Sequence, residues 1–144
     1  NAYKEAGWLP TWASPGQRGS MVGTMGDVVL AWAIVANKSS HLADDMYAAI
    51  RKDAFEEGKD GFGREALKEY SQNGYIPVGS ASEVVSRTLN YALADAAIAN
   101  AANKLGHSSD AHELSLRAHN AIEKTFNSET KLFEARDNNR RSRI

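Results

Sequence analysis

The sequence predicts an all-α fold built of helical hairpins, arranged as the inner and outer layers of an α-solenoid or α/α toroid. Three observations carry that expectation. Apolar residues recur at helical spacing: Leu42, Met46, Ala49, Ile50 and Ala54 follow the i, i+4, i+7, i+8 pattern of one helix face. No stretch alternates convincingly with the period of two that a half-buried strand needs. The helical pieces also alternate in character, a buried type followed by an amphipathic type, twice over, which is a coarse repeat of two hairpins.

Taken in order, residues 1–25 read as loop with a short helical turn at Ala2–Ala6. Pro10 and Pro15 each remove a backbone donor and push the preceding residue toward extended geometry. A first helix is expected over Asp27–Ala36, apolar on every side, and a helix hydrophobic all round is a buried one. Asp27 stands at its start, where a carboxylate caps the helix and suits the positive end of the dipole. Asn37–Ser40 make a turn, and a second, amphipathic helix follows over His41–Glu57. Gly58, Gly61 and Gly63 break the chain before a short helix at Arg64–Ser71, and Tyr75-Ile76-Pro77 is an extended return.

A third helix is expected over Ala81–Leu105, with Ser80 and Glu83 at capping-box spacing and Gly106 as its stop. Seven alanines between Ala92 and Ala102 would let neighbouring helices approach closely. A fourth helix runs over Ser109–Phe126, capped by Ser108 or Ser109, with Leu114, Ala118, Ala121, Ile122 and Phe126 on one side. Asn127–Lys131 is a turn. The organisation expected is a helical unit over 1–136 and a basic, aperiodic tail over 137–144, read as disordered or as a truncation end. The chain opens on Asn1 in mid-pattern and reads as a piece of something longer. Part of a toroid leaves two lateral faces uncovered, exposed and adhesive.

Composition narrows the function. With 42% hydrophobic and 24% charged residues over 144 positions, the chain has room for one domain with a core. A net charge of −1 gives no electrostatic case for a nucleic-acid partner. There is no cysteine, so disulfides, thiol catalysis and cysteine-built zinc sites are excluded. No apolar run approaches the roughly 20 residues needed to cross a bilayer, and no membrane partner is expected.

The candidate chemistry sits on the loop that feeds the first helix. Trp8 and Trp12 either stack on a sugar ring or plug the loop onto the helices. Arg18 either forks onto a carboxylate or sugar hydroxyls, or tethers its own loop. Gly19, Gly23 and Gly26 match neither the P-loop nor the dinucleotide fingerprint, so a nucleotide site is rejected, and backbone packed close to a ligand or helix is the better reading. Asp27 is a cap, a carboxylate at the mouth of a site, or both. Asp95, inside an alanine-rich helix beside Arg87 and Asn90, needs a partner from another element, as in a structural salt bridge. His41, His107, His112 and His119 form no metal spacing, and His112 and His119 read as solvated.

Two blocks carry a resemblance. WLPTWASPGQRGSMVGTMGD, from Trp8 to Asp27, and SEVVSRTLNYALADAAIANAANKLG, from Ser82 to Gly106, resemble glycoside hydrolase family 92, the α-mannosidases. The resemblance implies an (α/α)6 toroid of which this chain is a part, and a calcium-dependent, inverting enzyme acting on terminal α-linked mannose of glycans. It implies that Trp12, Arg18, Gly23, Thr24 and Asp27 belong to the sugar-binding wall, with Asp27 at the mannose of the −1 subsite. It places the general acid and base, and most Ca2+ ligands, beyond this chain. No catalytic residue and no metal ligand are therefore assigned here, and the isolated chain is expected to be inactive. The implied partners are a mannose-containing glycan and the remainder of the same catalytic domain, and the implied location is secreted or extracytoplasmic.

The sequence departs from the family pattern where it has Met25-Gly26 for His-Ser, Asn90 for Glu, Leu93-Ala94 for Tyr-Asp and Ala96-Ala97 for Trp-Cys. These changes remove polar groups from the expected inner layer. The alternative reading is a non-catalytic helical interaction module or a degenerate remnant of such an enzyme, and a weaker third is another α/α-toroid glycosidase.

Overall fold

The structure, a computed structural model, describes residues 2–11, 21–139 and 142. The described residues form helices α1 (Ala2–Ala6), α2 (Met25–Val35), α3 (Ala43–Phe55), α4 (Leu67–Asn73), α5 (Val84–Leu105) and α6 (Ser108–Thr125). Strands β1 (Phe126–Asn127) and β2 (Leu132–Phe133) follow. The fold is all-α in character, as expected. Helix α5 packs on α6 and on α2, and α3 closes on α2, so two helical hairpins share one interface through α5.

The core lies along that interface. Ala31 and Ile34 of α2, Ile50 and Ala54 of α3, Ile98 and Ala102 of α5 and Leu114 of α6 form one cluster. Leu67, Tyr70, Ile76, Tyr91, Ala92 and Ala121 form a second, under α4. The alanines of α5 do what their size allows: Ala94, Ala101 and Ala102 are fully buried, and α2 and α6 close on that helix. A polar tie joins α3 to the start of α6, where Tyr47 and Arg51 both donate to Asp110 and the Tyr47 ring stacks on His107 at 4.4 Å.

Several boundaries differ from the sequence reading, each for a local reason. Helix α2 begins at Met25, so Thr24 occupies the capping position and Asp27 lies inside the first turn; Asp27 is not the cap. Helix α5 begins at Val84 rather than Ala81, and the Ser80–Glu83 capping box does not form. Arg87 instead holds Ser82 through its carbonyl at 2.8 Å and its hydroxyl at 3.1 Å, while Glu83 adopts φ +51°. Helix α6 starts at Ser108 with His107 at the cap position and no side-chain cap from either serine. Helix α4 starts three residues late, at Leu67, because Arg64 is paired to Glu57 in a β-bridge and Ala66 turns through φ +56°. The expected turn at Asn127–Lys131 is present, but it joins two short strands that periodicity did not reveal, Phe126 pairing with Phe133.

Around that hairpin, the Glu134 carboxylate accepts hydrogen bonds from Ser142 at 2.5 Å, Thr130 at 2.6 Å and Asn127 at 2.9 Å, which hold its pKa down at about 2. Tyr75 donates its hydroxyl to the Asp137 carbonyl at 2.9 Å.

The largest departure concerns α2. Expected to be buried all round, it leaves Val29 63%, Trp32 62% and Val35 43% exposed. An all-apolar helix needs cover on every side, and these residues have it on one side only. An apolar groove of about 590 Å³ runs beside this face, between α2 and α5, and another of about 540 Å³ lies between α5 and α6. The chain is therefore expected to self-associate, with a mass that rises with concentration in sedimentation. Trp32→Glu should weaken that association about tenfold or more, since burying one large apolar side chain is worth ~1.5–3 kcal/mol. A wild-type chain that stays monomeric at every concentration would contradict this.

Candidate functional site

The site begins with a chain crossing. Between Glu57 and Arg64 the backbone folds back so tightly that a Cβ on Gly58 would sit 2.1 Å from the Phe62 carbonyl oxygen. Gly63, at φ +66°, would bring a Cβ within 2.9 Å of the Gly58 Cα and 2.8 Å of the Trp8 ring. Only glycine fits such an approach. The crossing turns Arg64 inward, where it is fully buried.

Arg64 is the centre of a charged network. Its Nη1 donates to Asp95 at 2.5 Å, its Nη2 to Asp27 at 3.2 Å and its Nε to the Thr24 hydroxyl at 3.3 Å. Thr24 donates in turn to the same Asp27 oxygen at 2.5 Å. Asp95 is also gripped by Arg117 through two bonds, 2.6 Å to one oxygen and 2.8 Å to the other, and it accepts the Tyr70 hydroxyl at 3.0 Å. Arg117 reaches on to the Ala54 carbonyl at 2.9 Å. Bidentate, charge-assisted bonds of this kind are the strong ones, and here they work in a dry interior.

Asp53 completes the cluster from α3. It is 1% exposed, and neither of its oxygens has a hydrogen-bond donor. Burial, and then the charge of Asp27, push its pKa up to about 9. Burial also raises Asp27, against the pull of Arg64 and the Thr24 hydrogen bond. Burial alone would lower the pKa of Arg64, but Asp95 and Asp27 more than reverse it, so the guanidinium stays charged.

Above Arg64 opens a cavity of about 410 Å³. Thr11, Gly23, Glu57, Glu65, Arg87 and Tyr91 are among the residues that line it. Arg87 is paired with Glu65 at 3.0 Å. Gly23 takes φ +84°, and a Cβ there would lie 2.7 Å from the Asn90 Cβ, so the residue brings bare backbone to the cavity wall. Glutamates, an arginine, a tyrosine and exposed backbone make a surface suited to a neutral, hydroxyl-rich ligand.

The structure brings three of the sequence-predicted residues together. Gly23 lines the cavity; Thr24 and Asp27 lie beneath it, buried and bonded to Arg64. Trp12 and Arg18 lie outside the described residues. Trp8 is half-buried, with Lys52 Nζ 4.3 Å over its ring and Gly63 at its edge, which is the plugging role. Asp95 finds its partners on other elements, as expected. His112 and His119 are exposed.

Sequence reasoning missed Arg64, Arg117 and Asp53. Two of them carried a signal. Asp53 falls on the apolar face of α3 beside Ile50 and Ala54, and Arg117 on that of α6 between Leu114 and Ala118. A charged residue on a buried face asks for an opposite charge. Arg64, in a glycine-rich loop, carried none. Among the described residues no three His, Asp or Glu side chains form a group that would hold a metal ion, and two of the aspartates that do gather, Asp27 and Asp95, are tied to guanidinium groups.

Comparison with known proteins bears on this arrangement. The family model "Glycosyl hydrolase family 92 catalytic domain" matches residues 1–143. Comparison with curated protein sequences gives no match. Among solved structures, the family GH92 alpha-mannosidase BT3965 from Bacteroides thetaiotaomicron, in complex with mannoimidazole, superposes with a TM-score of 0.84. It is 33% identical, over 95% of this chain and 17% of that one. The family GH92 inverting mannosidase BT2199 from Bacteroides thetaiotaomicron VPI-5482 superposes with a TM-score of 0.85, at 28% identity over 99% of this chain and 19% of that one. The chain thus spans less than a fifth of the length of either relative.

Proposed function

This chain belongs to glycosyl hydrolase family 92, as part of its catalytic domain, and on that premise we propose that it forms one sugar-binding wall of an α-mannosidase. The observation that carries the reading is the match to an α-mannosidase whose structure holds mannoimidazole, at 33% identity over nearly the whole of this chain. The substrate class is glycans ending in α-linked mannose. The wall comprises Trp12, Arg18 and Gly23, together with Thr24 and Asp27, which are buried and act through Arg64. Glu57, Glu65 and Arg87, which line the same cavity, offer acceptors and donors to sugar hydroxyls.

The reaction proposed for the parent is inverting hydrolysis. One carboxylic acid protonates the leaving oxygen while a carboxylate across the sugar, roughly 6.5–9.5 Å away, activates water. Asp27, Asp53 and Asp95 are sealed beneath Arg64 and fill neither role. Glu65 is held by Arg87, and Glu57 accepts the Lys68 backbone N–H at 2.7 Å. The acid, the base and the ligands of the expected Ca2+ are proposed to lie in the rest of the parent. A secreted or extracytoplasmic location is proposed with them. No helix among the described residues is long and apolar enough to cross a membrane.

The test is mannose release from an α-mannoside. The parent polypeptide should release mannose, and should stop when calcium is chelated. The 144-residue chain alone should release none above background; release by it would overturn the division of labour proposed here. One observation favours the second reading, a non-catalytic helical module: Leu93 is 51% exposed and Ala96 is exposed, apolar residues at positions where the family pattern carries Tyr and Trp. A folded parent that releases no mannose would support it.

A further inference from the structure

The network below the cavity holds three carboxyl groups, Asp27, Asp53 and Asp95, against two guanidinium groups, Arg64 and Arg117. With all five ionised, one negative charge is left over among them; the nearest further cation, Lys52, is engaged by the Gly7 carbonyl at 2.8 Å and the Trp8 ring and donates to none of the three. The hydrogen bonds show where it falls. Asp95 is fully engaged by Arg64, Arg117 and Tyr70. Asp27 uses Oδ2 for Thr24 and Arg64, while its Oδ1 has no donor. Asp53 has no donor for either oxygen. Three buried acceptor atoms on two interacting carboxyl groups thus lack a donor, and such atoms are costly to leave so. A single proton cancels the surplus charge, and it turns two of these three acceptors into a donor and an acceptor, leaving one oxygen of a now neutral carboxyl group.

We propose that Asp53 is a positioning residue: its carboxyl group carries a proton that it shares with Asp27, and the pair so formed holds Arg64 at the base of the cavity. Asp53 donates to Asp27 Oδ1, Asp27 remains the anion, and its Oδ2 keeps the guanidinium in place. The value of this to a sugar rests on the reading of the cavity given above, but the proton itself does not. The charged groups facing Asp53 are Asp27 from α2, Arg64 from the loop before α4 and Lys52 from its own helix. Asp95 of α5 and Arg117 of α6 lie on the far side of Arg64 and balance each other.

The direction of the pH effect follows. The unfolded chain releases the Asp53 proton near the ordinary 3.8, while the folded chain keeps it to about 9. The folded state therefore holds the extra proton between these values, and stability falls as pH rises through that window. Glu134 and Asp110, whose pKa values are lowered, act in the opposite sense and on the acid side.

The test uses the 144-residue chain with carbon-13 at the aspartate carboxyl groups. One aspartate resonance should keep its protonated position at pH 7, and D53N should remove it. The wild-type melting temperature should fall from about pH 5 to pH 9, and more steeply than that of D53N, which keeps only the raised Asp27. The Arg64 guanidinium protons should exchange slowly in wild type and in D53N, whose amide also donates, and fast in Asp53→Leu, which cannot. If every aspartate resonance reaches its ionised position by pH 6, the inference is overturned. So it is if D53N and Asp53→Leu release Arg64 alike. Both readouts are free of sugar, so such a failure leaves the mannosidase reading where it stood.

Discussion

Arg64→Met is expected to cost about 3–5 kcal/mol at pH 7, the range for removing one partner of a buried ion pair. Denaturant unfolding of the chain would measure it. That loss is a fifth or more of the ~5–15 kcal/mol that holds a typical domain together, so the variant should be marginal or unfolded at 37 °C. The two carboxylates it abandons are not equally harmed. Asp95 retains Arg117 and Tyr70, whereas Asp27 keeps no cation and retains the Thr24 hydroxyl and the proton proposed on Asp53. Most of the deficit therefore belongs to Asp27, and it should shrink as acid protonates that carboxylate. Arg64→Lys keeps the charge but loses the fork that spans Asp95, Asp27 and Thr24, and should fall between the two. A loss under about 1 kcal/mol for the methionine variant would mean that the network is not rigidly buried.

Gly58→Ala is expected to be nearly as damaging, at about 3 kcal/mol, the upper end for inserting a methyl where rigid atoms cannot yield. The obstruction is the Phe62 carbonyl oxygen at 2.1 Å, with the Arg64 backbone nitrogen at 3.1 Å behind it, so the crossing itself must open. Gly61→Ala is the control. Gly61 lies in the same loop with φ +82°, but a Cβ there would meet nothing within 4 Å, so it should lose only the ~1 kcal/mol of a left-handed alanine. Equal losses for the two would show that backbone conformation, not the crossing, governs this loop.

The contrast between these glycines also marks what could be read from the sequence. Gly58, Gly61 and Gly63 were legible as breakers. That a side chain would collide at Gly58 and Gly63 but stand in open space at Gly61 depends on a fold-back that no local pattern encodes. The helices were legible because each is specified by its own periodicity, as in α3 and α6. Their exact starts were not, because the polar side chains near them are engaged elsewhere. Thr24 bonds Asp27 and Arg64, and Ser82 is held by Arg87. Asp95 could be seen to need a partner, yet Arg64 lies 31 residues away and nothing nearby in sequence named it. Of the candidate wall, Gly23, Thr24 and Asp27 were named through the family resemblance, and the structure sets them in one short segment around the start of α2. The exposure of Trp32 was not, since apolar composition tells what a helix needs covered and not what is present to cover it.

The charged network also bears on the timing of folding. Apart from the Thr24–Asp27 bond, its bonds join residues 22 to 63 positions apart. They need α2, α3, α4, α5, α6 and the Arg64 loop all in place. Closing that many long loops is slow, and half of the network is worth less than none of it. Helix pairing through α5 has no such requirement and can come first. The network then belongs to the native side of the barrier, and interactions absent from the transition state govern the rate of unfolding rather than of folding. Its contribution is to the lifetime of the folded chain: it forms late, and while it holds, the separate segments it ties leave together or not at all.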